Sequence, residues 1–429
     1  IMVGQLGQTP LAAASFANGV LGIFMMFGIG LSYGITPLVA QADGEKDHGK
    51  ITRLFRHGMI LCAVAGVLLF TILFCSTYLF PYLQQPEEVI SLGTPYLLII
   101  GSSLIPLMIF QNFRQFSEGL SVTKPTMYIT IVANLVNILL NYLLIYGKLG
   151  LPELGLNGAG WATFISRVLM AIGLYVFVIK YKKFQAYLSA FQFSKIKADF
   201  FVPMLKIGVP SGVQFFFEVG AFTMAAIMMG WLGTGPLAAH QIALSLVSLS
   251  YMMASGISAA STVRIGNQIG MKDGTNLQRV GNTSFLMSLI FMACCAILFT
   301  SLSSFFPTLY VGEPEVISIA TTLIIVAGFF QLSDGIQVVG LGALRGMSDV
   351  KVPTIITLIS YWGLAIPASY ILGFTLELGP AGIWYGLLIG LTAAAIALFV
   401  RFKRLARQKA ASFVKKADDN ATLDLSVSL

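Results

Sequence analysis

Long apolar runs separated by short polar punctuation repeat along the whole chain. Stretches such as Leu61 to Leu73, Leu135 to Ile145, Leu169 to Ile179 and Leu387 to Val400 each lie in a hydrophobic segment close to the roughly 20 residues that cross a bilayer. Gly, Pro and charged residues mark the segment ends, which predicts one partial and eleven full helices. Their approximate spans are 1–5, 12–42, 51–80, 88–119, 125–147, 157–181, 199–232, 236–268, 275–306, 314–345, 351–375 and 379–403. The expected fold is an all-α, polytopic membrane protein.

Composition agrees: 56% of the 429 residues are hydrophobic and 10% are charged, against about 25% charged in soluble domains. The net charge of +8 would point to nucleic acid in a soluble chain, but its placement points to a membrane instead. Of 26 Lys and Arg, 24 fall at alternate junctions or in the tail, the exceptions being Lys148 and Arg167. Basic loops stay in the cytoplasm, so both termini are expected there. The segment Tyr181 to Lys206, rich in alternating basic and apolar residues, reads as an amphipathic linker on anionic lipid headgroups. The last residues, from Ala417, read as a disordered polar tail. Cys62, Cys75, Cys294 and Cys295 lack metal-ligand spacing and read as small buried apolar residues.

The chain also repeats itself. Ile1 to Ala13 (IMVGQLGQTPLAA) matches Ile227 to Ala239 (IMMGWLGTGPLAA) at nine of thirteen positions, an offset of 226. The same offset pairs Gly30 to Asp47 with Gly256 to Asp273, and Thr123-Lys124-Pro125-Thr126 answers Val350 to Thr354 with a slip of one or two residues. The duplication implies two six-helix halves of like orientation, with alternating access between them. The expected layout is a first lobe at 1–181, a linker at 182–198, a second lobe at 199–403 and a cytoplasmic tail at 404–429. Because Ile1 aligns deep within the segment 199–232, most of the first helix of the first half is expected to lie upstream of this sequence.

A charge at bilayer depth costs about 2.5 to 3.5 kcal/mol on insertion scales, so carboxylates inside spans are functional candidates. Of eighteen acids, two qualify: Glu218, four residues after Gln214, and Asp334, three residues from both Gln331 and Gln337. Each acid therefore has amide neighbours on its own helical face. Such pockets suit a hard cation or carry a proton, and the residues alone leave both open. Two membrane-embedded acids also evoke an intramembrane aspartyl protease. Neither acid sits in a Gly-x-Gly-Asp context, and a protease does not explain the duplication. A passive channel is a further alternative.

In the first half, Asn137 and Asn141 form a polar stripe one turn apart, serving either helix association or a ligand. Thr163 and Arg167 are likewise one turn apart; Arg167 is the one base near mid-membrane and should face a wet cavity or pair with an upstream acid. Glu118 follows Arg114 by four residues and reads as its ion-pair partner. His240 reads as a packed polar residue. Glu313 sits at an outer mouth, where it is solvated or attracts cationic solutes.

The stretches STVRIGNQIGMKDG (Ser261 to Gly274), ITPLVAQADGEKD (Ile35 to Asp47) and GALRGMSDVKVP (Gly342 to Pro353) resemble the multidrug and toxic compound extrusion (MATE) family over nearly the whole chain. The resemblance implies a twelve-helix, two-lobed antiporter exporting organic, often cationic, drugs in exchange for Na+ or H+. In its sodium-coupled branch a glutamate, a tyrosine and an aspartate hold the ion, and the matching positions here are Glu218, Tyr251 and Asp334. Asn137, Asn141 and Thr163 match polar positions lining the first-lobe cavity. A monomeric Na+-coupled drug antiporter is expected, with H+ coupling or a lipid-linked precursor flippase as alternatives. The family's aspartate in the first helix would lie just upstream, as a partner for Arg167.

Overall fold

The computed structural model describes residues 2–83, 86–150, 152–188 and 197–427. Among them are eleven helices long and apolar enough to cross a membrane, labelled α1 Gln8–Gly44, α2 His48–Tyr82, α3 Glu87–Gly119, α4 Lys124–Tyr146, α5 Gly155–Lys180, α6 Phe201–Leu232, α7 Thr234–Met271, α8 Gly274–Ser301, α9 Pro314–Gly346, α10 Lys351–Thr375 and α11 Gly379–Val427. They match the eleven full segments expected, and a single 3₁₀ turn, Val3–Leu6, precedes them. Helices dominate because a span must satisfy its backbone hydrogen bonds within itself. The C-terminal segment expected to be disordered is helical to Val427. After Gly390 the sequence of α11 has no Gly or Pro and is rich in Ala, Lys and Arg, so nothing stops the helix at the end of the span.

Breaks fall where the backbone is forced. The α1 helix breaks after Ser32 and restarts at Thr36, with Pro37 in the new first turn. In α10, two π-helical stretches, Ile359–Ala365 and Ile371–Thr375, flank a single α-turn containing Pro367. Pro367 cannot donate to the preceding turn, and the wider π spacing accommodates it.

The chain divides into two compact units, Ile1–Gly212 and Val213–Leu429, and the division falls within α6. Its first turns pack on α1, where Gly208 abuts the Leu31 carbonyl and Gly212 faces Gly30. In the first unit the short helix Lys182–Leu188 folds back: Phe184 and Tyr187 are buried against Phe116, and Lys183 Nζ donates to the Leu120 carbonyl at 3.1 Å. This part of the expected amphipathic linker packs on protein through its aromatic residues; residues 189–196 of it lie outside the described residues. Lys197 is held too. Its N–H donates to His57 Nε2 at 3.0 Å while His57 Nδ1 meets the Arg53 carbonyl at 2.6 Å, contacts that require the neutral imidazole with its proton on Nδ1.

Each unit repeats the other down to its backbone. Gly7 and Gly233 share an extended positive-φ conformation at the head of α1 and α7 (φ 116° and 127°). Lys46 and Lys272 both adopt φ 58°, and Ser121 and Ser348 adopt 62° and 59°. Asp47 caps α2 by accepting from Lys50 N–H at 2.8 Å, as Asp273 caps α8 from Asn276 N–H at 2.9 Å. The Asn276 amide, and after it the Asn276 side chain, hold the Asp273 carboxyl below its ordinary value. Between helices, Thr36 donates to the Gln115 carbonyl at 3.3 Å and Thr262 to the Gly342 carbonyl at 2.8 Å. Gly119 lies against Val39 and the Thr36 carbonyl, and Gly346 against Ile265 and the Thr262 carbonyl. Gly158 meets the carbonyl of Leu144, and Gly382 that of Leu372.

The cysteines depart from expectation. Cys62 is buried, but Cys75 and Cys294 lie exposed on helix surfaces, where a small apolar side chain is equally at home in lipid. His240 is fully buried, with Nδ1 accepting from Trp384 Nε1 at 3.1 Å, the packed role expected of it.

A Cβ at Gly346 would sit 2.7 Å from the Thr262 carbonyl oxygen and 3.0 Å from Ile265 Cβ, both rigidly placed. Gly346→Ala should cost about 1–3 kcal/mol, whereas Gly22→Ala, with nothing within 4 Å, should be neutral or stabilising. Thermal unfolding of the two variants in detergent checks the contrast.

Candidate functional site

Glu218 and Asp334 come together in the second unit. Glu218 projects from α6, and on α9 Asp334 and Gln337 are one turn apart on one face. All three are buried (7%, 4% and 0% exposed). Gln337 Nε2 donates to Glu218 Oε1 at 3.4 Å. Tyr361, from the first π-helical stretch of α10, donates its hydroxyl to Gln337 Oε1 at 2.7 Å. The relay Tyr361–Gln337–Glu218 fixes which way the amide points, so that its NH₂ faces the carboxylate.

Glu218, Asp334 and Tyr251 all lie within electrostatic range of the Tyr361 hydroxyl. Tyr251, on α7, packs with Phe291 against Ala254, Met292 and Val338. Gln331 and Gln214, each fully or almost fully buried, lie one turn from Asp334 and Glu218 on the same helices. A close helix approach encloses the acid, since Gly335, next to Asp334, faces Ser288 and Met292 of α8 with no room for a side chain. Around Asp334 the polar groups outnumber their partners: Asp334 Oδ2, both amide atoms of Gln331 and Gln214 Oε1 are buried with no hydrogen-bond partner. Unpartnered oxygens from a carboxylate and two amides, beside a second carboxylate, form a donor set that suits a hard monovalent cation or a transferable proton. Among the described residues no group of three His, Cys, Asp or Glu could hold a transition metal.

The other expected residues lie elsewhere. Asn141 Nδ2 donates to the Asn137 carbonyl and side-chain oxygens, both at 2.9 Å, so the stripe on α4 bonds with itself. Thr163 donates to the Ala159 carbonyl one turn back. Arg167 is satisfied within the first unit: Nη1 donates to Ser103 Oγ at 2.7 Å and Nη2 meets Met25 Sδ at 3.3 Å. Arg114 and Glu118 form the expected ion pair at 2.7 Å. Glu313 is an exposed residue at the start of α9. It stands roughly 30 Å from Asp334 along that helix at about 1.5 Å per residue.

Tyr361 was missed from sequence. A tyrosine deep in an apolar span is itself a signal, because tyrosines in spans favour the membrane interface. Here Ser360 and Tyr361 interrupt the run ahead of Pro367.

The sequence model of the MatE family matches residues 1–143 and 210–371. "Probable multidrug resistance protein NorM" of Agrobacterium fabrum is 34% identical over 414 residues, covering 95% of this chain and 89% of the relative. "Multidrug resistance protein MdtK" of Yersinia pseudotuberculosis is 33% identical over 429 residues, covering 97% and 92%. Among solved structures, a MATE in the bent conformation superposes with a TM-score of 0.88 at 18% identity over 96% of this chain and 91% of that one. The eukaryotic MATE transporter AtDTX14 gives 0.82 at 19% identity, over 96% and 92%.

The first unit carries Leu107 where the repeat places Asp334. Asp334→Leu, which copies the first half, removes a buried acid with an unpartnered oxygen. It should raise stability in sodium-free detergent by about 1–4 kcal/mol, read as a higher melting temperature, at the expense of function.

Proposed function

Because this chain belongs to the multidrug and toxic compound extrusion family, we propose that it exports organic cations by antiport with Na+, the ion being held at Glu218, Asp334 and Tyr251. It is a multi-pass inner-membrane multidrug efflux transporter and not an enzyme. The single observation behind the ion assignment is the buried pair Glu218 and Asp334, one acid braced by the Tyr361–Gln337 relay and the other left with an unpartnered oxygen. A monovalent cation entering this cluster offsets one of the two negative charges and gives the Asp334 oxygen a partner. It shifts the transporter only to the extent that it binds one conformation more tightly than the other. In this reading the protein works as a monomer with both termini in the cytoplasm, and the two halves alternate access.

Gln331 and Gln214 supply amide oxygens toward a hard-cation shell, while Gln337 braces Glu218 through its NH₂. Tyr251 offers a ring face or a phenol oxygen to the same ion. Asn137, Asn141 and Thr163 line the drug path in the first half, and Glu313, at the start of α9, attracts cationic solutes.

In vesicles with a defined sodium gradient, Glu218→Gln and Asp334→Asn should each abolish gradient-driven efflux of a cationic dye. Full efflux by both variants would remove the assignment. Efflux driven by a pH gradient alone, and not by sodium, would replace Na+ by H+ as the coupling ion at the same carboxylates.

A further inference from the structure

We propose that Arg345, near the end of α9, is a built-in countercharge to the carboxylate pair, weakening its hold on the coupling ion so that the ion is released in each cycle; this rests on the ion-coupled reading above. Two carboxylates hold a cation firmly, and a transport site must also let it go. Arg345 stands eleven residues after Asp334, about three turns of helix, so the two lie on one face of α9 roughly 16 Å apart along its axis. Side chains on a helix lean toward its N-terminus, which aims the guanidinium back toward the acids. A base in the last turn of a helix more often answers the terminal carbonyls and then enters water. Arg345 does not enter water: it is 9% exposed, among the buried residues Ala343, Leu344 and Gly346.

Between Arg345 and Asp334 on that face stand Val338 and Leu341, both buried, so little water screens the field between base and acids. Arg345 lies within electrostatic range of Glu218, and Gln337, which bonds Glu218, comes eight residues before it on α9. The spacing is fixed. From α7, Ser258 Oγ donates to the Val338 carbonyl at 2.6 Å and Thr262 Oγ1 to the Gly342 carbonyl at 2.8 Å. Gly342 and Gly346 lie too close to Ser258 and Thr262 for any side chain. The segment that carries acid and base is thereby pinned as one piece. The other titratable groups at the pair, Tyr251 on α7 and Tyr361 on α10, are phenols, and Ser288 and Met292 of α8 carry no charge.

The internal repeat ties the base to the acid. At the offset of 227 that pairs Ser121 with Ser348, Asp334 answers Leu107 and Arg345 answers Glu118. Glu118 is held by Arg114 at 2.7 Å, and the position paired with Arg114 is Leu341. The half that has the aspartate also has a base three turns along the same helix. The half with Leu107 carries an acid there instead, neutralised by its own neighbour.

The test measures ion binding to the purified full-length protein in detergent, Na+ by equilibrium dialysis and, in sodium-free buffer, protons by the infrared band of protonated carboxyl groups. Whichever ion the wild type binds, Arg345→Met should hold it about tenfold more tightly, the effect of one unit charge about 12 Å away at an effective dielectric constant near 20. Arg345→Lys, which keeps the charge, should stay near the wild-type affinity. Damaged packing loosens a site, so tightening is a readout that a merely structural role does not give. Unchanged or weaker binding in Arg345→Met, or the same tightening in Arg345→Lys, overturns the countercharge. Should Arg345→Met fail to fold, Arg345→Gln, whose amide keeps a hydrogen-bonding head, is read in its place by the same criterion. A wild type that binds neither ion sinks the ion-site reading itself, a result separate from missing tightening in a protein that does bind.

Discussion

Within a bilayer, polar and charged groups have no water to fall back on, so each must find its answer inside the protein. That constraint explains most of what is specific in this chain. Helices satisfy their own backbones, and threonines and serines close the remaining gaps by bonding to carbonyls one turn back or across to a neighbour, as Thr262 does to Gly342. The few groups left without a full answer are then conspicuous. Asp334, with its unpartnered oxygen, is the clearest of them.

The duplication shows which parts of the design are scaffold. Left-handed Lys46 and Lys272 and the caps Asp47 and Asp273 recur because they set the turn between the second and third helices of each repeat, and Gly119 and Gly346 because they seat the fourth helix on the second. The polar interior residues do not recur. The repeat pairs Asp334 with Leu107 and Tyr251 with Met25. Structure was kept in both copies while chemistry diverged.

Much of this was legible beforehand, for physical reasons. Hydropathy located the spans because lipid tolerates little else, and Glu218 and Asp334 stood out because an acid inside a span is expensive. Tyr361 did not stand out, since its ring suits an apolar segment and only its hydroxyl contact with Gln337, from another helix, gives it a role. The Ser103–Arg167 contact joins residues 64 apart in sequence, and no local pattern foretells such a pairing. The linker misled in part, because Phe184 and Tyr187 bury themselves against Phe116 instead of meeting lipid.

The π-helical turns of α10 take on a further meaning beside the glycine seats. The halves are offset by 227 where Lys124 answers Lys351, yet by 228 where Leu144 and Leu372 lie against Gly158 and Gly382. One copy of this helix is therefore a residue longer than the other, and it is the copy with the π-helical turns. A helix that gains a residue between fixed ends must rotate its interior side chains relative to its twin. Tyr361 lies in the first of those turns, and the positions paired with it at 227 and 228 are Asn134 and Ala133, so the longer copy is also the one that carries a phenol toward its carboxylates.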